Sequence, residues 1–100
     1  MICTTMTTTY HGSCLCGAVT YEVTGPFDGF HLCHCSRCRK ATAAAHACNL
    51  FTGPDNIRWL SGENQIRRFD LPAAKRFARA FCAVCGSGLP YVNRPGTALV

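Results

Sequence analysis

The sequence predicts a small, mainly β, single-domain fold with one short helix, stapled by thiolate-bound metal. Three observations carry this expectation. The chain is 100 residues long, one domain's worth, and a core that small gains noticeably from a cross-link. Its apolar stretches are short, alternate with polar residues, and are separated by turn-forming residues. It also holds nine cysteines, a density typical of disulfide scaffolds or metal proteins.

The elements follow in chain order. Residues 1–9 read as a Thr-rich tail or edge strand, and residues 10–100 as the domain. In "AVTYEV", Val19, Tyr21 and Val23 fall on one face and Ala18, Thr20 and Glu22 on the other, which is a half-buried strand. "TGP" breaks it, and "GFHLCH" forms a second strand running into cysteines. "SRCRKATAAA" reads as a helix with Ser36 as N-cap. Further strands are "AHACNLF", "IRWL", "QIRRFD" and "LPYVN", separated by "TGPDN", "SGEN" and "CGSG". "PAAKRFARAF" is ambiguous. Pro72 and its alanines would open a helix, yet Phe77, Arg79 and Phe81 alternate as in a strand, and two cysteines follow at once. A strand is favoured.

Composition narrows the class. Charged residues are sparse and apolar content is ordinary, which argues against disorder. "MICTTMTTTY" has neither the basic nor the apolar region of a secretory signal, and no run reaches transmembrane length. The odd cysteine count leaves a thiol unpaired in any all-disulfide scheme, so a reducing, cytoplasmic setting and metal binding are expected. The formal net charge is +5. Zinc on four thiolates carries −2 and on three carries −1, which would leave about +2, a weak basis for nucleic-acid binding.

The cysteines fall into sets. "CLC" (Cys14, Cys16) and "CAVC" (Cys82, Cys85) together supply four thiolates, enough for one closed tetrahedral zinc. Gly12 and Gly17 would loosen the first turn, and Gly86 and Gly88 the second. Cross-paired disulfides are the alternative. "CHCSRC" supplies Cys33, Cys35 and Cys38, with a fourth ligand either absent or drawn from His34, His46 or Cys48. His34 would point away from its neighbours along a strand, and Cys48 reads as a buried hydrophobe. An open position, suited to activating a small molecule, is favoured. Cys3 has no assigned role.

Taken together, "GSCLCGAVTYEV", "CHCSRCRKAT", "WLSGENQIRRF" and "RAFCAVCGSGLPY" resemble the glutathione-dependent formaldehyde-activating enzyme family, also called the centromere protein V-like domain. The resemblance runs from His11 to the C-terminus and implies a zinc-stapled β fold of β-tent type. It implies a structural zinc on Cys14, Cys16, Cys82 and Cys85, and a second, catalytic zinc on Cys33, Cys35 and Cys38. It implies a carbon–sulfur lyase-type activity, that of an S-(hydroxymethyl)glutathione synthase, with glutathione and formaldehyde as reactants. It also implies that the family's C-terminal end lies beyond "GTALV", and that Ala43 stands where glycine is common.

Other residues are expected to support this site or the core. Arg37, Arg39 and Lys40 flank the three-cysteine run and are candidates for holding a carboxylate of an anionic thiol, or form a solvated helix face. Arg67, Arg68, Lys75, Arg76 and Arg79 read mainly as exposed strand faces. Phe77, Phe81 and Trp59 read as core, and His46 as a buried histidine or a general base. The alternative function is a non-catalytic, zinc-stapled binding module for nucleic acid or protein. Oligomeric state is left open.

Overall fold

The computed structural model describes residues 8–100. Cys3 and most of the expected 1–9 segment lie outside the described residues. The fold is mainly β, with one short helix and three small antiparallel sheets. The first contains β1 (Thr9–Ser13), β2 (Thr20–Thr24) and β5 (Ile57–Ser61), in the order β1-β2-β5. The second is the ribbon of β3 (Gly29–Cys33) and β4 (Ala47–Phe51). The third contains β6 (Ile66–Asp70), β7 (Ala78–Cys82) and β8 (Gly88–Leu89), in the order β6-β7-β8. Helix α1 (Ser36–Thr42) connects β3 to β4.

The alternation read in "AVTYEV" is realised in β2 and the residue before it. Val19 and Val23 are buried, and Tyr21 packs edge-on against Trp59 with ring centroids 5.5 Å apart. On the opposite face, the Glu22 carboxylate accepts from His11 at 3.3 Å and Arg58 at 3.2 Å, one from each flanking strand. β1, "TYHGS", shares only Thr9 with the segment read as a tail or edge strand, and Tyr10–Ser13 were not expected as a strand. Its residues are mostly exposed and polar, so its pairing with β2 rather than its own composition makes it one.

The helix is shorter than expected. Cys35, not Ser36, is its N-cap: the Cys35 sulfur accepts the Cys38 N–H at 3.4 Å. It ends at Thr42 because Ala43 turns left-handed with φ 54°, sending its N–H back to the Arg39 carbonyl. This turn brings the chain around so that Ala47 pairs with Cys33. "PAAKRFARAF" is a strand only from Ala78; the residues between Leu71 and Phe77 form turns, closed by the Leu71 N–H on the Phe77 carbonyl at 3.1 Å. "LPYVN" is also mostly irregular. Beyond Leu89 it contributes the Val92–Leu99 bridge, and Leu99 bridges Thr52 in turn.

The main core cluster is Cys14, Val19, Ala80, Cys82 and Leu89, flanked by Tyr21, Trp59, Ile66 and Tyr91. The largest fully buried side chains are Val19 and Cys82. A core of such small residues buries little apolar surface.

Trp59 lies against the core as expected. Phe77 and Phe81 do not lie in it. Across β6 and β7, Phe69 faces Arg79 and Arg67 faces Phe81, while Ala80 faces Arg68. Directly opposed residues share a face. The alternation was therefore real, but the inward face carries Ala78, Ala80 and Cys82, all buried. The aromatic–arginine face turns toward α1.

Candidate metal centres and an adjoining cleft

Two glycine turns build the first cluster. After β1, the Gly17 N–H returns to the Cys14 carbonyl at 3.2 Å; after β7, the Gly86 N–H returns to the Cys82 carbonyl at 2.8 Å. Gly17 and Gly86 take φ values of 80° and 78°, the left-handed region open to glycine. Gly12 and Gly88 take no part in this: Gly12 lies in β1 beneath the Tyr21 ring, and Gly88 sits in β8 with open space beside it. Backbone amides point at sulfur in both turns, Val19 N–H to Cys14 and Val84 N–H to Cys82, each at 3.3 Å. The Leu15 N–H donates to Ser87 Oγ at 3.0 Å and ties one turn to the other.

The sulfurs of Cys14, Cys16, Cys82 and Cys85 all lie within 4.8 Å of one another. Cys14 to Cys16 is 3.5 Å and Cys16 to Cys82 is 3.9 Å. Sulfurs placed tetrahedrally around zinc at about 2.3 Å have edges of about 3.8 Å, so the donor set fits that ion. The electrostatics agree. The Ser87 hydroxyl and N–H pull the Cys85 thiol down to about 5. The Val19 N–H lowers Cys14. Against the pull of the Ala18 N–H, the adjacent Cys14 sulfur and burial raise Cys16 to about 11. Four crowded sulfurs do not all ionise without a cation between them. None of the described cysteines is in a disulfide.

The second cluster sits where β3 meets α1. Cys33 ends the strand, Cys35 caps the helix, and Cys38 lies buried one turn in. Their sulfurs also lie within 4.8 Å of one another, with Cys33 to Cys35 at 3.5 Å. The Cys38 N–H, then the Cys33 sulfur, draw the Cys35 thiol down to about 7. Burial pushes the Cys38 thiol up to about 12. Among the described residues no fourth His, Cys or carboxylate joins this group. The candidates for that place gather with each other instead: the His34 and His46 rings are 5.1 Å apart, and His46 Nδ1 is 3.7 Å from the exposed Cys48 sulfur. Cys48 is thus not the buried hydrophobe expected.

Beside this cluster opens a cleft of about 570 Å3 lined by Ser36, Arg37, Lys40 and Ala41 of the helix and by Phe69, Leu71, Phe77, Arg79 and Phe81. Arg37 and Lys40 therefore stand where a bound anion would meet them. Arg39 does not line it; its Nε donates to the His34 carbonyl at 2.9 Å and steadies the loop between the cysteines. Arg79 joins cleft and cluster, with Nη2 3.8 Å from the Cys38 sulfur. Its guanidinium lies over the Phe77 ring at 5.4 Å and the Tyr91 ring at 5.9 Å. Burial raises the Tyr91 phenol, against the lowering pull of Arg79. Tyr91 is consequently a neutral hydroxyl at neutral pH.

Sequence reading placed Arg79 among solvent-facing basic residues and did not single out Phe69, Leu71 or Tyr91. The alternation "FARAF" was the available signal. The basic residues do not form one stripe: Arg67 and Arg79 share one face of the sheet, while Arg68 lies on the other, bound to Asp70 at 3.1 Å and to the Val92 carbonyl at 2.6 Å.

The fold and these spacings define a small β domain built around two thiol clusters. The family model for glutathione-dependent formaldehyde-activating enzymes matches residues 9–100, and the chain belongs to that family. A Halomonas elongata protein that bears the family's name is 35% identical over 82 residues, which cover 78% of this chain and 52% of that protein. The chain thus spans about half the length of this relative. A crystal structure of a Rhodobacter sphaeroides protein shares the fold, with a TM-score of 0.71 at 23% identity over 90% of this chain and 81% of that one. No helix among the described residues is long and apolar enough to cross a membrane.

Proposed function

We propose that the chain carries two zinc ions with unequal roles, working in a reducing, cytoplasmic setting. Cys14, Cys16, Cys82 and Cys85 hold the structural ion. They join positions 66 residues apart (Cys16 and Cys82), so binding there contributes directly to folding. Cys33, Cys35 and Cys38 hold the reacting ion, and the absence of a fourth described ligand is the observation that carries this reading.

The reaction is addition of a small thiol, glutathione in the family's name, to an aldehyde. The thiol sulfur bonds to the carbonyl carbon, its proton passes to the carbonyl oxygen, and with formaldehyde the product is S-(hydroxymethyl)glutathione. The reverse step breaks the same carbon–sulfur bond, which makes this a carbon–sulfur lyase-type activity. Zinc at this centre supplies Lewis acidity, easing thiol ionisation and carbonyl polarisation. The protein supplies position and charge. Arg37, Lys40 and Arg79 draw an anionic reactant to the mouth of the cleft. Tyr91, which stays protonated, keeps this surround free of a further negative charge.

The test is exchange of label between formaldehyde and its glutathione adduct, followed by NMR with the uncatalysed rate subtracted. Excess exchange that falls at least tenfold in Cys35→Ser supports the proposal. Exchange no faster than the background in zinc-loaded wild type contradicts it.

A further inference from the structure

The cleft beside the three-cysteine centre is larger and more apolar than formaldehyde needs. Phe69, Leu71, Phe77 and Phe81 supply its walls, and Phe69 and Phe81 remain 51% and 38% exposed. Apolar side chains left uncovered around a concavity mark a place where an apolar body docks. The charges are one-sided. Arg37, Lys40 and Arg79 line the cleft, and no carboxylate does. Asp70, the nearest acid in sequence, is engaged by Arg68 at 3.1 Å and Arg94 at 3.8 Å.

Arg79 adds an independent observation. Its Nε is buried and has no hydrogen-bond partner among the described residues. A buried guanidinium N–H left unpaired is costly, and such groups are normally satisfied by protein, water or a ligand. Stacking on Phe77 and Tyr91 holds the fork in place, and a planar guanidinium matches a carboxylate.

From these features we infer that the cleft binds a small apolar carboxylate, an aryl or alkyl acid, with its headgroup on Arg79 and its carbon body on the phenylalanines. One of the reactants at the centre is then an amphipathic acid rather than formaldehyde and a polar thiol alone. The inference rests on the reading of the three-cysteine centre as the reacting end, but its test is read from the cleft.

The experiment is an NMR titration of the zinc-loaded chain with 4-phenylbutyrate, 4-phenyl-1-butanol and glutathione in parallel. The expected result is saturable shifts in residues 36–41, 69–71 and 77–81 and in the Arg79 Nε–H. The carboxylate binds about tenfold tighter than the alcohol, and Arg79→Met removes that difference. Phe69→Ser, at an exposed position that tolerates change, weakens both phenyl probes together. Equal binding of acid and alcohol, or no saturable shift with either phenyl probe, would overturn the inference. So would concentration-dependent dimerisation that the probe blocks, which would make this face a contact between copies of the chain. Failure of the exchange assay with this binding intact would count against the chemistry and leave the cleft standing.

Discussion

Arg79 Nη2 lies 3.8 Å from the Cys38 sulfur, and this contact joins the third sheet to the helix that carries the second cysteine cluster. Three thiolates around a divalent ion would leave a net negative charge, and the guanidinium would offset it across a short distance. Arg79→Met is therefore expected to weaken zinc retention at Cys33, Cys35 and Cys38 by about tenfold, a size set by partial solvent screening. The four-cysteine site should be unaffected. Competition with a chromophoric chelator resolves the two sites, and equal loss from both would show that the substitution disturbs the fold instead.

The thiols of the second cluster are ordered by acidity. The Cys38 N–H lowers Cys35 to about 7, whereas burial raises Cys38 to about 12. A lowered thiol pKa leaves thiolate above that pH and loses it as pH falls through it. In metal-free protein, iodoacetamide should label Cys35 with half-maximal rate near pH 7 and leave Cys38 unlabelled at that pH. Because ligands must be deprotonated, zinc retention should weaken as pH falls. Peptide mapping after timed pulses checks the order, and Cys38 reacting first would contradict it.

Ala43 ends the helix at φ 54°, a conformation that costs a side-chain-bearing residue more than glycine. Ala43→Gly should stabilise the domain by about 0.5–1 kcal/mol. A higher urea midpoint with an unchanged slope is the expected reading; a lower midpoint would mean that the Ala43 methyl packs usefully. The same position is where the family resemblance suggested glycine.

Gly62 is the opposite case. It combines φ 74° with a close approach in which an added Cβ would strike the Ala18 carbonyl oxygen, and Ala18 follows directly on the first cysteine turn. Gly62→Ala should destabilise by roughly 2 kcal/mol or more. The loss should appear as a lower thermal midpoint and easier zinc release from Cys14, Cys16, Cys82 and Cys85. Wild-type stability in this variant would contradict the close packing.

Much of this architecture was legible because its signals are local. Val19, Tyr21 and Val23 share a face through strand periodicity alone, and each cysteine pair is held by its own turn. The approach of Cys14 and Cys16 to Cys82 and Cys85 followed from ligand count. Alternation, however, says which side chains share a face and not which face is inside. Phe77 and Phe81 were misassigned because bulk usually goes inward, whereas here the inner face must leave room for sulfurs and carries Ala78, Ala80 and Cys82. Arg79 was hidden for the same reason: its partner Cys38 is 41 residues away, a distance no local pattern spans. The cap at Cys35 was missed because thiols are not among the usual capping side chains.

The central claim is two zinc sites with separable roles, and metal content per chain tests it most directly. Elemental analysis of purified wild type and Cys35→Ser, with far-ultraviolet circular dichroism confirming the fold, should give two zinc ions falling to one. One zinc in the wild type, unchanged in Cys35→Ser, would contradict the account and leave Cys33, Cys35 and Cys38 as thiols without a catalytic metal.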